Sequence, residues 1–320
     1  MSALLSIAGL GKTYRDRHGQ AVHALRDVDL ELARGETLGI VGESGCGKST
    51  LGRCVVRLIE ANAGEIRLDG QDVTKLDGPG LLAYRRAVQI VFQDPSAALN
   101  PRHTIGEIIG EPLAIHGIGD RASRKAEVAR LIERVGLAPE VATRYPHEVS
   151  GGQRQRISIA RAIALKPRIV VADEAVSALD VSIQAQILTL LTELQREEGI
   201  AFLFISHDIG VIRHVSDRVA VMYLGRIVET GSAAELLANP AHPYTKALLA
   251  AVPDPARRGK ESGPPLKGDL PDPANPPPGC VFQTRCPVVE DRCRVDIPAL
   301  VTRRTAPSPR LVACHLIAEA

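Results

Sequence analysis

The segment Gly42-Glu43-Ser44-Gly45-Cys46-Gly47-Lys48-Ser49 decides the fold of this chain. It fits the pattern G-x-x-x-x-G-K-[ST], follows the apolar run Leu38-Gly39-Ile40-Val41 and leads into a helical pattern. Glycines let backbone N–H groups converge on phosphate oxygens, and the start of a helix adds positive partial charge. The segment therefore predicts a loop that binds the phosphates of a nucleotide, with Lys48 at the β- and γ-phosphates and the Ser49 hydroxyl on Mg²⁺.

An acidic pair, Asp173-Glu174, directly follows the apolar run of residues 168–172. On its own, such a pair at the end of a strand is more often a solvated turn than a catalytic pair. The upstream loop reverses this balance, because the carboxyl end of the strand lies at the same edge of the sheet as the loop. We therefore predict that Asp173 holds Mg²⁺ and that Glu174 polarises the attacking water.

A second glycine motif, Ser150-Gly151-Gly152-Gln153, lies between these two features and opens a helical pattern. A helix N-terminus with small residues can receive an anion. A second such turn has little use on a chain that already holds one nucleotide, unless it binds the nucleotide of a neighbouring subunit. The motif therefore predicts a dimer in which each nucleotide is shared by two chains.

The order of these motifs, followed by His207, resembles the ATP-binding cassette (ABC) family over roughly residues 4–235. The resemblance implies an α/β P-loop NTPase fold with a mixed core sheet, an antiparallel subdomain and an α-helical insert. It also implies ATP and Mg²⁺ as ligands. The implied phosphate-binding set is Gly42, Ser44, Gly45, Gly47, Lys48, Ser49 and Thr50 from one chain, with Ser150, Gly151, Gly152 and Gln153 from the other.

The resemblance assigns roles to four further residues. Gln93, after a predicted buried strand, would contact Mg²⁺ and the attacking water, and His207 would hydrogen-bond the γ-phosphate. Tyr14 would stack on adenine, and Asp180 would lie across the dimer seam. Without the resemblance, His207 would be an ordinary surface residue and Tyr14 a simple edge-strand tyrosine.

The chain departs from the family pattern at Ala175, where members usually have proline directly after the catalytic glutamate. Losing the fixed φ of proline changes the chain entropy by about 0.4–1 kcal/mol. This change is too small to abolish the site, although it could loosen the aim of Glu174. We therefore keep Glu174 as the predicted catalytic base.

Composition limits the class of protein. The chain has 320 residues, of which 45% are hydrophobic but only 3% aromatic, so its core must rest on aliphatic side chains. The net charge of +2 gives no electrostatic argument for a nucleic-acid partner. Its apolar runs are far shorter than the ~18 residues of a membrane span, and the N-terminus lacks the features of a secretory signal. We expect a cytosolic protein that reaches the membrane through a partner.

Apolar periodicity and composition together predict the organisation of the chain. We expect an ATPase domain over residues 1–250 with a helical insert at about 94–165, a Pro-rich linker over 251–279, and an extension with four cysteines over 280–320. Predicted strands lie at 4–10, 24–32, 36–41, 88–92, 169–172 and 201–205, hairpins at 64–73 and 218–230, and helices at 48–59 and 181–198.

Several segments resemble the ATPase subunits of bacterial oligopeptide and dipeptide importers and extend the resemblance over nearly the whole chain. These segments are residues 93–102, 106–113, 178–186 and, above all, Asn239-Pro240-Ala241-His242-Pro243-Tyr244-Thr245. The variant Val176-Ser177-Ala178 is similar to the second of the two unlike ATPases that such importers carry, which favours a heterodimer. The resemblance further implies two membrane permease subunits, an extracytoplasmic peptide-binding protein and a peripheral position at the cytoplasmic face of the membrane.

The extension contains Cys280, Cys286, Cys293 and Cys314. Disulfides are disfavoured in a cytosolic chain, so a metal site explains four cysteines better. Four thiolates suit Zn²⁺ or a [4Fe–4S] cluster. The spacing lacks the C-x₂-C pattern usual for zinc, and some peptide-importer ATPases carry a cluster here. We therefore favour the cluster, with zinc and thiols without a metal as the alternatives.

Two other classes of function remain open at this stage. One is a soluble ABC ATPase that acts on DNA or ribosomes, although the chain shows no tandem cassettes, coiled-coil insert or strong basic patch. The other is a regulatory or metal-sensing subunit without hydrolysis, which Ala175 and the cysteines would suit. The sequence does not identify the cargo, because selectivity belongs to the binding protein and the permease.

Overall fold

The computed structural model describes residues 3–17, 19–177, 179–251, 268–303 and 310–317. Residues 252–267 of the predicted Pro-rich linker lie outside the described residues, as do residues 304–309 and 318–320 of the predicted extension. The strands are β1 (Leu5–Arg15), β2 (Ala21–Leu32), β3 (Thr37–Val41), β4 (Ala63–Leu68), β5 (Gln71–Asp72), β6 (Val88–Val91), β7 (Ile169–Asp173), β8 (Ala201–Ile205), β9 (Arg218–Tyr223), β10 (Arg226–Ser232), β11 (Val301–Arg303) and β12 (Arg310–Val312).

Helices connect and cover these strands. They are α1 (Lys48–Val55), α2 (Gly78–Ala87), α3 (Pro95–Ala98), α4 (Ile105–Ile115), α5 (Arg121–Arg134), α6 (Gly151–Ile163), α7 (Val181–Glu198), α8 (Ile209–Val215), α9 (Ala233–Ala238), α10 (Pro243–Ala250) and α11 (Asp291–Val295). Helices α3 to α6 all fall between β6 and β7, where the sequence predicts the helical insert.

Two sheets organise the chain. The larger has the order β11-β12-β10-β9-β3-β8-β7-β6, with β6, β7, β8, β3 and β9 parallel to one another and the remaining pairs antiparallel. The smaller sheet, β2-β1-β4-β5, is antiparallel. The predicted combination of a mixed core sheet, an antiparallel sheet and a helical insert is confirmed.

The core lies on both faces of the larger sheet. All residues of β3, β7 and β8 are buried, as their continuous apolar runs predict for strands that are covered on both sides. Alternate residues belong to different clusters: Leu203 and Ile205 pack with α1 and the antiparallel sheet, whereas Phe202 and Phe204 pack with the helical insert and α7. This arrangement fixes the carboxyl ends of three parallel strands side by side.

Helix α1 is shorter than the predicted helix over residues 48–59. It ends at Val55 because Arg57 has a φ of 54°, in the left-handed region that stops a helix. The Arg57 guanidinium donates hydrogen bonds to the carbonyls of Val73 and Leu76. These carbonyls are distant in sequence, so the apolar period alone could not locate the end of the helix.

The C-terminal residues join the ATPase sheet, which the sequence analysis did not predict. Strand β12 pairs with β10 through Glu229↔Val312 and Thr230↔Leu311. Phe282 and Cys293 belong to the same hydrophobic cluster as the helical insert. The described part of the extension therefore shares the core and the main sheet of the ATPase.

Candidate nucleotide site

The glycines of the loop between β3 and α1 are required by close backbone contacts. Gly42 has a φ of 156°, and a Cβ atom there would lie 2.1 Å from the Met222 carbonyl oxygen. Gly47 has a φ of 107°, and a Cβ there would lie 2.3 Å from the Ala24 carbonyl oxygen. These positions accept no larger residue, so the tight path of the loop requires glycine at both of them.

Lys48 begins α1 and is buried, with 4% of its surface exposed. Its ammonium donates hydrogen bonds to the carbonyl oxygens of Gly42 at 2.7 Å and Glu43 at 2.9 Å. An ammonium has three N–H donors. Two of those of Lys48 bind loop carbonyls, so its positive charge is held against the backbone of the loop.

Ser49 and Asp173 meet at the carboxyl edge of the main sheet. The Ser49 hydroxyl donates a hydrogen bond of 2.8 Å to Asp173 Oδ1. Burial raises the pKa of Asp173, and the bond from Ser49 acts in the opposite direction. Two of the three residues that the sequence assigns to Mg²⁺ are thus in direct contact.

Glu174 lies between two other predicted site residues. Gln93 Nε2 donates to Glu174 Oε2 at 2.8 Å, and His207 Nδ1 lies 3.3 Å from Glu174 Oε1. Glu174 has a φ of 49°, and its backbone N–H donates to the Ile205 carbonyl at 2.9 Å. A left-handed conformation is costly for a residue with a Cβ and is concentrated at functional sites.

A cavity of about 350 Å³ opens above these residues. Its walls are formed by Ala24, Ser44, Gly45, Gly47, Lys48, Ser49, Thr50, Gln93 and Glu174. The sequence analysis predicted every one of them except Ala24, which has no local motif. Tyr14 stays outside this wall in the described part of the chain; its ring is 37% exposed on β1 and lies 5.2 Å from the Lys12 ammonium.

The motif Ser150-Gly151-Gly152-Gln153 forms the start of α6. The Ser150 hydroxyl accepts from the Gln153 N–H at 3.3 Å, and Gln153 Oε1 accepts from the Ser150 N–H at 2.9 Å, so the two residues form a capping box. A Cβ on Gly151 would meet no atom of the described residues within 4 Å. Of the residues that the structure describes, none of this motif lines the cavity, and neither does the exposed Asp180 before α7.

Comparisons with known proteins show the family to which this chain belongs. A family model described as ABC transporter matches residues 25–177, and one described as the C-terminal region of oligopeptide/dipeptide transporters matches residues 228–293. A probable peptide ABC transporter ATP-binding protein of Sinorhizobium fredii is 52% identical over 99% of this chain and 91% of its own length. The chain belongs to the ABC transporter family. An oligopeptide transport ATP-binding protein of Bacillus subtilis, AppF, is 54% identical to this cassette over 92% of the chain and 90% of its own length.

Solved structures show the same fold as this cassette. The dimeric ATP-binding cassette MJ0796, in a post-hydrolysis state bound to ADP and Pi, is 31% identical. It superposes with a TM-score of 0.66 and covers 72% of this chain and 98% of its own length.

The extension of the cassette gathers its cysteines, but not in the form of a site for one metal ion. Cys280, Cys293 and Cys314 are buried and Cys286 is half-buried. The Cys280 N–H donates to the Cys293 carbonyl at 2.8 Å. Burial, and then the three neighbouring thiols, raise the pKa of Cys280 to about 11. Over the described residues, no three His, Cys, Asp or Glu side chains are placed to hold a metal ion together.

Two further features complete the description of the ABC chain. Within the part that the structure describes, none of the helices combines the length and apolarity that crossing a bilayer requires. Glu43 in the phosphate loop is contacted by Tyr244 and Arg285 from the C-terminal third of the chain. No local sequence pattern indicates these contacts, although Tyr244 belongs to the motif that carries the importer resemblance.

Proposed function

We propose that this chain binds and hydrolyses ATP as a subunit of a bacterial importer for di- and oligopeptides. The observation that carries the proposal is the Glu174 carboxylate, which lies between Gln93 and His207 at the wall of the cavity closed by Lys48. Membership of the ABC family and the match to the C-terminal region of peptide transporters support it.

The residues of the site fit a nucleoside triphosphate with Mg²⁺. The buried Lys48 ammonium and the converging loop N–H groups suit phosphate oxygens, and the Ser49 and Asp173 oxygens are the hard donors that Mg²⁺ prefers. Bound Mg²⁺ would neutralise charge on the transferring phosphoryl group. We assign Mg²⁺ to Ser49, Gln93 and Asp173, and the phosphates to Gly42, Ser44, Gly45, Gly47, Lys48, Ser49 and Thr50.

Glu174 is the proposed general base. Its two carboxylate oxygens face different neighbours, Gln93 and His207, so the direction of the carboxylate is fixed before the reaction. It would accept a proton from the attacking water, while Gln93 orients the water and His207 the γ-phosphate. Ala175, at the position where the family usually has proline, is only 2% exposed. Packing around Ala175 therefore limits the conformational freedom of the backbone there.

Adenine stacking on Tyr14 is a separate part of the proposal. Tyr14 pairs with Val22 across β1 and β2, and Ala24, two residues further along β2, lines the cavity. We propose that the exposed Tyr14 ring receives the base of the nucleotide.

We infer that a second cassette completes the site. Ser150, Gly151 and Asp180 are exposed and lie outside the cavity wall formed by the described residues of their own chain, as a turn that serves a neighbour requires. Two solved structures of one cassette of similar fold, MJ0796, are dimeric. The partner we propose is the second, unlike ATPase of the importer, and ATP would hold the pair closed because both subunits bind its γ-phosphate.

The Glu174→Gln variant tests the base and the dimer together. We expect hydrolysis to slow on the order of 10²-fold or more, because the amide cannot accept the proton. With ATP, size-exclusion chromatography should show a closed dimer of the variant chain with the second ATPase. A stable homodimer would disprove the heterodimer. Unchanged phosphate release in the reconstituted complex would disprove the role of Glu174.

The remaining partners follow from the importer assignment. We propose that two permease subunits hold this chain at the cytoplasmic face of the membrane and that an extracytoplasmic binding protein delivers the peptide. Isolation of the intact complex, with mass spectrometry of the bound cargo, tests the peptide assignment. A complex that lacks permeases, or whose ATPase activity does not respond to the peptide-loaded binding protein, would contradict the transport function.

We further infer that Cys280, Cys286, Cys293 and Cys314 are the ligands of a [4Fe–4S] cluster. The donor set fits in type and number, and the four thiols influence one another electrostatically. The spacing of the four cysteines lacks the C-x₂-C pattern usual for zinc, which favours the cluster. Anaerobic purification followed by iron, sulfide and zinc analysis decides between the cluster, zinc and metal-free thiols.

A further inference from the structure

A partly buried ion pair joins the C-terminal extension to the phosphate loop. Arg285 Nη1 lies 2.6 Å from Glu43 Oε2 and Arg285 Nη2 lies 3.0 Å from Glu43 Oε1, so the guanidinium binds the carboxylate with two parallel hydrogen bonds. The two residues are 242 positions apart in the sequence. Bidentate pairs of this kind fix direction as well as distance.

The surroundings of the pair make it stronger than a surface salt bridge. Only 5% of the Arg285 side chain and 28% of the Glu43 side chain are exposed. The Arg285 Cζ atom lies 5.9 Å from the centroid of the Tyr223 ring, a cation–π contact. Removing one charge from such a pair leaves the other poorly solvated, which costs far more than the loss of an exposed pair.

Glu43 connects Arg285 to Lys48 of the phosphate loop. Its backbone N–H donates to the Tyr244 hydroxyl at 2.9 Å, and its carbonyl oxygen accepts from the Lys48 ammonium at 2.9 Å. The side chain of Glu43 is thus held by Arg285 and its N–H by Tyr244, while its carbonyl holds Lys48. A shift of Glu43 would move an acceptor that positions the Lys48 charge.

Contacts within the C-terminal extension fix the position of Arg285. Its N–H donates to the Phe282 carbonyl at 3.0 Å, and the Phe282 ring meets Tyr223 edge-on, with ring centroids 5.3 Å apart. Arg285 lies between Cys280 and Cys286 in the sequence, in a segment whose start is tied to Cys293 by a backbone hydrogen bond. The segment that carries the Arg285 guanidinium is therefore held in place by the rest of the C-terminal extension.

We propose that Arg285 is a positioning residue for the phosphate loop, which makes ATP binding depend on the C-terminal extension. Through Glu43, Arg285 keeps the loop and the Lys48 ammonium in the arrangement that receives the phosphates. This inference rests on the proposed ATP-binding function and deepens it by adding a residue from outside the cassette motifs.

The test measures ATP affinity and ATPase kinetics of full-length variants. Arg285→Met removes the charged fork, Arg285→Lys keeps the charge without the fork, and Glu43→Gln removes the carboxylate. Arg292→Met is the matched control, because Arg292 is in the same extension but forms an exposed pair with Asp296. ATP titration by calorimetry gives Kd for the chain, and steady-state hydrolysis by the reconstituted complex gives KM and kcat.

We expect Arg285→Met and Glu43→Gln each to weaken ATP binding about tenfold or more, given the usual strength of charged hydrogen bonds. Because the loss is one of ground-state positioning, KM should rise while kcat at saturating ATP stays within about twofold of the wild type. Arg285→Lys should be intermediate, and the double variant should be no worse than either single variant, since both remove one interaction. Arg292→Met should match the wild type.

Other outcomes would overturn the proposal. Wild-type affinity in Arg285→Met, or a fall in kcat with an unchanged KM, would reduce the pair to a merely structural contact. If Arg285→Met does not fold, Glu43→Gln still decides, because it leaves the extension intact. Failure of the wild-type chain to bind ATP would instead disprove the proposed function on which this inference rests.

Discussion

His242 provides a test of how the importer motif is built into the fold. The residue caps α10: its Nδ1 accepts the N–H of Tyr244 at 3.0 Å. Only 1% of His242 is exposed, and its ring packs 5.8 Å from the ring of Phe282. The same helix cap thus carries Tyr244 toward the phosphate loop. Replacing His242 with asparagine keeps an acceptor suited to an N-cap but removes the titrating ring.

The structure determines the sign and size of the pH effect. Burial, with the Lys246 charge as a smaller cause, lowers the pKa of His242 from its ordinary 6.5 to about 3. The unfolded chain therefore takes up a proton below pH 6.5, whereas the folded chain does not until about pH 3. Stability is complete above the unfolded pKa and is lost as the pH falls. At one unit below that pKa, the linked loss is about 1.4 kcal/mol.

Urea denaturation of the wild type and of His242→Asn, each at about pH 7.5 and about pH 5.5, measures this loss in the free energy of unfolding. Between the two pH values, the free energy of unfolding should fall by about 1.4 kcal/mol more in the wild type than in His242→Asn. The smaller side chain destabilises the variant equally at both pH values, so this effect cancels in the comparison. His214→Asn is the control, because His214 is exposed at the end of α8, and it should keep the wild-type dependence.

The same pH dependence in the wild type and His242→Asn would refute the reasoning, because the buried neutral ring would then contribute nothing to the linkage. A greater loss in the variant would show that the folded protein prefers the charged ring. Either result would contradict the burial of His242 against Phe282 and, with it, the packing of the importer motif on the extension.

Three further predictions test the loop, the dimer and the extension. Gly47→Ala should abolish ATP binding in a calorimetric titration, because its Cβ would lie 2.3 Å from a backbone oxygen at a left-handed φ. Gly151→Ala should leave the melting temperature of the chain unchanged, since a Cβ there meets no described atom within 4 Å outside its chain neighbours and its own helix backbone, yet should lower ATPase activity of the assembled complex. Glu229→Ala should cost about 3–5 kcal/mol in urea unfolding, because it leaves the buried Arg310 charge unpaired; an unchanged midpoint would contradict the pairing of β10 with β12.

Much of the nucleotide site could be predicted because its chemistry is written in short segments. The phosphate loop, its strand and the first turn of its helix lie within one stretch of sequence, and the glycine positions follow from the backbone path alone. Asp173, Glu174, Gln93 and His207 were predictable for a related reason. Asp173 ends β7 and the other three follow parallel strands, and such strands end at one edge of the sheet.

Other features depend on contacts between residues far apart in the chain. No local pattern marks Arg57 as the end of α1, Ala24 as a wall of the cavity, or β12 as a strand of the main sheet. Their states are set by hydrogen bonds and packing across long sequence separations. Periodicity reports only how a segment divides its own polar and apolar side chains, so it contains no information on these partners.

The residue types of the local motifs were enough to predict a chain that binds a nucleotide and to propose a second cassette that completes the site. Only the tertiary structure decided that Arg285 and Tyr244 hold the phosphate loop at Glu43. An ion pair has a direction and a strength only after the chain has folded and removed both groups from water. The dependence of the loop on the extension is therefore a property of the packed molecule.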